Sequence, residues 1–407
     1  MYIQQFEFRD AATGWHLAGA RFEPFELLVG RCAAGKSKIL EALRRMQRFA
    51  VEAAFTPGAM EWTLDFEHDG TPFSWTGATE LATGKSARIV RERLTRAGRV
   101  VADRSGDTIT IGATLASAAT GQSLAVPSHT GSLLTAITSD ADVSSAAHGF
   151  RRMIHADREP VLSLRCARET QVSIEQAIRA IAATRTAIED KLEPARTRSW
   201  NAFLEQAAAT PSAARFILPI QEIVARLDKL AWLYALQELG ASEREELETM
   251  FVRIYPFVGA LRVFWAPHSA EGELLELSIR EQGMDHWIPA PQMSVGMRRC
   301  MGLLMDAAFA PPGSVLLIDD LESDLGVEAL PAVVKYLQTR TDCQVLATSR
   351  HPYIIDDVPV QSWKLVRRRG NEVCMDAVTG LPGYDVEPRH RAFVELLELA
   401  ELEEQVS

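Results

Sequence analysis

With 407 residues, 47% of them hydrophobic and 24% charged, the chain can bury a large core, yet no stretch approaches the roughly 20 apolar residues that span a bilayer. A formal net charge of −11 argues against a surface given over to nucleic acid, which is held by neutralising phosphates; the local basic clusters Arg44–Arg45, Arg151–Arg152 and Arg367 to Arg369 read as solvated faces and helix ends. The five cysteines (Cys32, Cys166, Cys300, Cys343, Cys374) are scattered, odd in number and include no C-x-x-C pair, which argues against a disulfide framework or zinc site and makes a reducing cytoplasm the simplest home.

The opening MYIQQFEFRD alternates and carries early charge, so it reads as a strand and not as a signal peptide. Strands are predicted over Ile3 to Phe8, Trp15 to Phe22 and the apolar run Phe25 to Val29. Ile39, Leu40, Leu43, Met46 and Phe49 then recur at helical spacing. From Glu61 to Ile111 the period returns to two, with turns at Asp69-Gly70, Ala97-Gly98 and Ser105-Gly106, which predicts short antiparallel strands. A second Gly-Lys-Ser, Gly84 to Ser86, has Thr79 where the first loop glycine would stand and reads as a hairpin turn. A Ser/Thr/Gly-rich link follows, then helical pattern around Leu133 to Ile137 and Ala146 to Met153. Residues 163 to 255 are rich in helix formers, with Ile174, Ile178, Ile181 and Ile188 on one face and breaks at Pro194, Pro211, Pro219 and Gly240. Without sustained heptads, this is a helical insertion and not a coiled-coil arm. Leu261 to Trp265 and Leu274 to Arg280 look like strands. From Met293 to Asp376 helix and apolar strand alternate, before an acidic C-terminal helix ending ELLELAELEEQVS.

The first chemical signal is Gly30-Arg31-Cys32-Ala33-Ala34-Gly35-Lys36-Ser37, a G-x-x-x-x-G-K-S loop between strand and helix. Its backbone amides and the helix N-terminus suit a phosphate, its lysine the β- and γ-phosphates, and its hydroxyl a Mg²⁺ ion. Lys38 completes the phosphate-binding set. The second signal is Ser314 to Asp320, four apolar residues and then two acids. It reads as a buried strand delivering carboxylates at its C-terminal end, where ligands sit in parallel α/β sheets. Asp319 would hold Mg²⁺ and Asp320 would lie beside the γ-phosphate. Alone, it is equally a strand capped by solvated acids. The third is Met293-Ser294-Val295-Gly296-Met297-Arg298-Arg299, in which Ser294 is a good helix N-cap and Met297, Cys300, Met301 and Leu304 form one apolar face.

In this order the three stretches resemble the ATP-binding-cassette class of P-loop ATPases, and most closely the SMC/RecF/OLD-like branch, including stand-alone bacterial AAA-family ATPases found beside defence effectors. The resemblance covers residues 1 to 155 and 258 to 380. It implies an α/β ATPase head with a mixed central sheet, an N-terminal antiparallel β lobe and a helical insertion lobe. The expected divisions are 1–155 with the P-loop, 156–257 as the insertion, and 258–407 with the signature, Walker B strand and switch region. It also implies that Ser294 and Gly296 contact the γ-phosphate held by another subunit, with two ATP molecules sandwiched in a head-to-tail homodimer. Gln344 to Pro352 resembles the family strand that ends in Thr-His-Ser-Pro.

Departures from the family pattern fall on chemistry. Cys32 and Ala33 stand where Asn-Gly is usual, and a left-handed Ala33 would cost roughly 1–2 kcal/mol. Asp320 stands at the catalytic glutamate and Arg350 at the switch histidine, with His351 one place later; Met293 replaces the signature leucine. Glu322 is an alternative base and His351 an alternative switch residue. Together these changes imply slow hydrolysis. The Mg²⁺-contacting glutamine stays unassigned, since Gln122 has no motif around it, as does the adenine contact. The function expected from the resemblance is an ATP-driven dimerisation switch acting on a separate effector or on nucleic acid, DNA included, in phage defence. The alternatives are a non-catalytic ATP-clamped scaffold and a RecF-like repair ATPase.

Overall fold

The computed structural model describes residues 1–81, 87–112, 122–126, 131–189, 197–210, 223–224, 227–269, 272–351 and 354–381. In chain order the elements begin with β1 (Tyr2–Asp10), β2 (His16–Arg21), β3 (Phe25–Val29) and α1 (Lys36–Val51). The strands β4 (Met60–His68), β5 (Thr71–Leu81), β6 (Ala87–Arg96), β7 (Arg99–Ser105), β8 (Thr108–Ile111) and β9 (Gln122–Ala125) follow, then α2 (Leu133–Ala136), α3 (Ala141–Arg151) and β10 (Met153–His155). Next come β11 (Ser163–Ala167), α4 (Arg168–Glu189), α5 (Trp200–Ala209), α6 (Lys229–Glu238) and α7 (Ser242–Ile254). The chain continues through β12 (Val258–Ser269), β13 (Gly272–Glu281), β14 (Ile288–Pro289), α8 (Val295–Phe309) and β15 (Val315–Ile318). It closes with α9 (Leu330–Thr339), β16 (Gln344–Thr348), α10 (Ile354–Asp357), β17 (Trp363–Arg369) and β18 (Glu372–Ala377).

The chain forms two compact units, Met1–Ala156 with Ala310–Ser323 and Val334–Ser407, and Asp157–Phe309 with Asp324–Val333. The first is built on a mixed sheet in the order β10-β15-β16-β3-β17-β18-β2-β1-β4-β5-β6-β7-β8-β9. Its strands β10, β15, β16, β3 and β17 are parallel, which fits their nearly unbroken apolar runs. From β1 outward every pairing is antiparallel, as the alternating pattern of residues 61 to 111 predicts. The hairpin at Ala97-Gly98 has both residues at positive φ (47° and 78°), the two-residue turn whose twist matches paired strands. The Gly84-Lys85-Ser86 repeat lies outside the described residues, between strands paired at Leu81 and Ala87.

Helix α1 buries Ile39, Leu40, Leu43, Met46 and Phe49, the face read from its spacing. Phe49 packs against Trp62 and Trp75 with centroids 5.5 and 5.7 Å apart, and Phe150 of α3 closes on Trp75 at 5.1 Å. These rings hold the helix that begins at the P-loop against the sheet.

The helical pattern around Ala146 to Met153 overran its element. Helix α3 ends at Arg151, and Met153 opens β10, which pairs with Val315 far along the chain. In the second unit, Ile174, Ile178, Ile181 and Ile188 are buried along α4 as expected. Gly240 ends α6 at φ 60°, with the Ala241 amide returning to the Leu236 carbonyl at 3.0 Å. This unit extends beyond the helical stretch 156–257, because β11, inside the helix-rich segment, pairs with β13. A small antiparallel sheet of β11, β12, β13 and β14 therefore joins those helices and α8. Pro194, Pro211, Pro219 and the acidic C-terminal segment lie outside the described residues.

Candidate nucleotide site

Strand β3 is buried from Glu26 to Val29 between β16 and β17, and the chain leaves it at Gly30. Gly30 has φ 150°, and a Cβ there would lie 2.5 Å from the Val366 carbonyl oxygen, so only glycine fits against β17. Ala33 is left-handed at φ 66°, the strained conformation considered for it, at a cost of roughly 1–2 kcal/mol. Gly35, at φ 108°, is the N-cap of α1. Among the described residues no side chain caps this helix, and its first turn carries no acid, so its leading N–H groups and its positive end are left for an anion. Lys36, 7% exposed, folds back to donate to the carbonyl oxygens of Gly30 (2.7 Å) and Arg31 (2.9 Å), and burial lowers its pKa. Cys32, Ser37 and Lys38 are exposed, Arg31 is half-buried and Ala34 is buried.

The acids arrive from β15. That strand stops at Ile318, so Asp319 and Asp320 sit on the turn beyond it and not on its last residues; Asp320 has φ 46°. The Ser37 hydroxyl donates to Asp319 Oδ1 at 2.8 Å, and the Thr348 hydroxyl donates to the same oxygen at 2.7 Å. Thr348 Oγ1 in turn accepts from the Asp320 amide at 2.8 Å. Arg350 Nη2 pairs with Asp320 Oδ2 at 2.9 Å, and the Arg350 amide donates to Glu322 Oε1 at 3.0 Å. The Asp320 carboxylate, and then the neighbouring Cys32, raise the guanidinium pKa of Arg350. The His351 amide donates to the Ser349 hydroxyl at 3.1 Å, and its ring is exposed. Asp320, 8% exposed, is thus held by backbone and guanidinium together.

In the second unit, Ser294 accepts from the Met297 amide at 3.1 Å, the N-cap expected of it. A Cβ on Gly296 would lie 2.9 Å from the Asp324 carbonyl oxygen, so glycine lets the start of α8 approach that segment. Gln122 lies in β9 opposite Ile111.

Two contributors were missed from sequence. Thr348 is one. The other is a crevice of about 200 Å³ beside α1, lined by Phe8, Asp10, Thr13, Trp15, Lys38, Glu41, Ala42 and Arg45. Trp15 is 4% exposed, its indole N–H has no partner among the described residues, and that nitrogen lies 3.7 Å from where a Gly35 Cβ would stand. Only a tryptophan shortly before the loop could have signalled it.

ATP with Mg²⁺ fits this donor set. An uncapped helix start, a lysine resting on loop carbonyls, and a hydroxyl beside a carboxylate offer an anion site and hard oxygen ligands side by side.

Residues 153–356 match a sequence model of the family described as "AAA domain, putative AbiEii toxin, Type IV TA system". No curated protein matches the sequence. Two solved structures to which the chain is similar are an Smc head bound to the C-winged helix domain of ScpA and an Smc head domain with an extended coiled coil bound to the C-terminal domain of ScpA derived from Pyrococcus furiosus. Each is 12% identical; the first covers 92% of this chain and 97% of its own at a TM-score of 0.45, and the second 92% and 96% at 0.44. The family match takes in half of the chain, including Ser294, Asp319, Asp320 and Arg350, so the chain belongs to this AAA-domain family of P-loop ATPases.

Proposed function

We propose that the protein binds ATP with Mg²⁺ at the Gly30–Lys38 loop, hydrolyses it slowly, and uses it to close a head-to-tail homodimer that switches a separately encoded effector. The observation that carries this reading is the hydrogen-bonded chain Ser37–Asp319–Thr348–Asp320–Arg350 beneath the loop. Loop amides and the first turn of α1 donate to the phosphates, and Lys36 exchanges the Gly30 and Arg31 carbonyls for phosphate oxygens. Ser37 and Asp319 supply the metal's protein oxygens. Bound Mg²⁺ would withdraw charge from the phosphate oxygens. As the water oxygen bonds to the γ-phosphorus and ADP leaves with the bridging oxygen, Asp320 Oδ2, released from Arg350, takes the water's proton, and Arg350 turns toward the phosphate charge. The crevice lined by Phe8, Trp15 and Lys38 beside α1 is the place for the base. Ser294 and Gly296 would complete the site of the opposing copy. Phage defence is the setting the resemblance suggests.

The test combines ATP turnover with oligomeric state for wild type, Lys36→Ala, Asp320→Ala and Ser294→Arg. Wild type should dimerise with ATP and release phosphate, Lys36→Ala and Ser294→Arg should stay monomeric, and Asp320→Ala should trap the dimer. The second reading, an ATP-clamped scaffold, is favoured by the ion pair that occupies Asp320. ATP binding with no phosphate release above a blank from any of the four proteins would establish the scaffold and sink the enzyme.

A further inference from the structure

The small sheet of the second unit has two unlike faces. Leu261, Val263, Leu275, Leu277 and Ile279 share one side and are buried, and Leu261, Val263 and Leu277 line a crevice with Leu233, Leu247 and Met301 from the helices. The register places Arg165, Arg262, Phe264, Glu276, Ser278 and Arg280 on the other side. There Arg165 and Arg280 are exposed, and Arg262, Phe264 and the neighbouring Trp287 are half-buried. The Arg262 guanidinium lies 4.2 Å from the Phe264 ring centre and 4.1 Å from that of Trp287, and Arg280 reaches the Trp287 ring at 5.2 Å. None of the three arginines has a carboxylate at ion-pair distance among the described residues. The single acid among these strand positions, Glu276, is 8% exposed and accepts from the Ser163 hydroxyl. The guanidinium's own Nε and the Oγ of Ser278, opposite Arg262 in the register, are buried without a hydrogen-bond partner among the described residues.

We propose that this face, centred on Arg262 between Phe264 and Trp287, is a docking surface for an acidic segment of a partner protein. Flat aromatic rings and arginine are the residue types that dominate protein interfaces, and stacking fixes the guanidinium so that its N–H edge meets a carboxylate with little further loss of freedom. Burial and the like charge of Arg280 both disfavour the Arg262 cation, a stress that an arriving carboxylate relieves. Charge complementarity therefore asks for an acidic ligand. A polypeptide suits it better than nucleic acid, because β11 to β14 carry only three arginines and no lysine, too few cations to track a phosphate backbone. The proposal rests on the second unit alone and stands or falls independently of the nucleotide reading.

The test is fluorescence anisotropy of the full chain with a labelled ten-residue glutamate peptide, a labelled ten-residue lysine peptide and a labelled (dT)20. The glutamate peptide should bind most tightly. Arg280→Glu and Arg262→Ala should each weaken it at least tenfold, while Arg99→Glu, an exposed change on the first unit, leaves it unaltered. Thermal melting of each variant shows that it is folded. Tighter binding of (dT)20 than of the glutamate peptide, or equal glutamate-peptide affinity in wild type and folded Arg280→Glu, would overturn the proposal.

Discussion

The Thr348 hydroxyl shows how much one atom can decide at this site, since it donates to Asp319 while accepting from the Asp320 amide. Thr348→Val keeps the shape but removes the hydroxyl to which that buried amide donates, at about 1–3 kcal/mol. The variant should melt lower and turn over ATP more slowly, whereas Thr348→Ser should retain both properties; equal melting of Val and wild type would remove the role assigned here. From sequence Thr348 was one residue of a strand, because its partners lie 28 and 29 positions away. Cys32, Asp320 and Arg350 were likewise legible only as three separate departures from a family pattern. In the fold Arg350 meets both Asp320 and Cys32, so the substitutions form one cluster beside Lys36.

Strand β3 shows the same limit at the scale of an element. Its apolar run was readable, and so was its place before the loop, but Glu26 within it becomes fully buried only because β16 and β17 flank it in parallel. Desolvation pushes the Glu26 carboxyl up to about 8, with Lys364 at 3.5 Å opposing the shift. A raised carboxyl pKa penalises the folded state as pH climbs from the ordinary value near 4.5 to about 8, and no further above that. Glu26→Gln should therefore match wild type below pH 4.5 and gain on it through that window. The gain is on the order of a few kcal/mol, reduced by the lost Lys364 pair. Calorimetric melting points from pH 4 to 9 would show it; parallel profiles for the two proteins would refute it.

For the whole molecule, the loop, the acids and Arg350 all belong to the first unit, so nucleotide should stabilise the chain by simple linkage. ATP with Mg²⁺ at a hundred times its Kd should add about 2.7 kcal/mol to the unit that binds it. The melting temperature of wild type should rise accordingly and that of Lys36→Ala should not; an equal rise in both would place the nucleotide elsewhere. Among the described residues no helix is long and apolar enough to cross a membrane, in line with the hydropathy of the sequence. The Arg262 face was invisible at this scale, since its arginines are scattered over three strands of a chain with net negative charge.

What the sequence alone determined is local: the phosphate loop, the amphipathic face of α1, the run of antiparallel hairpins, and the acids after an apolar strand. Periodicity, turn chemistry and helix starts are set by near neighbours, so they survive in one dimension. The tertiary structure decided everything that depends on pairing between distant segments. It placed β10 beside β15 and β11 beside β13, ended β15 before its acids, tied Ser37 to Asp319, and set Arg350 on Asp320. The physical reason is that a short strand or a single polar side chain has little preference of its own and takes its conformation from the partner the fold supplies.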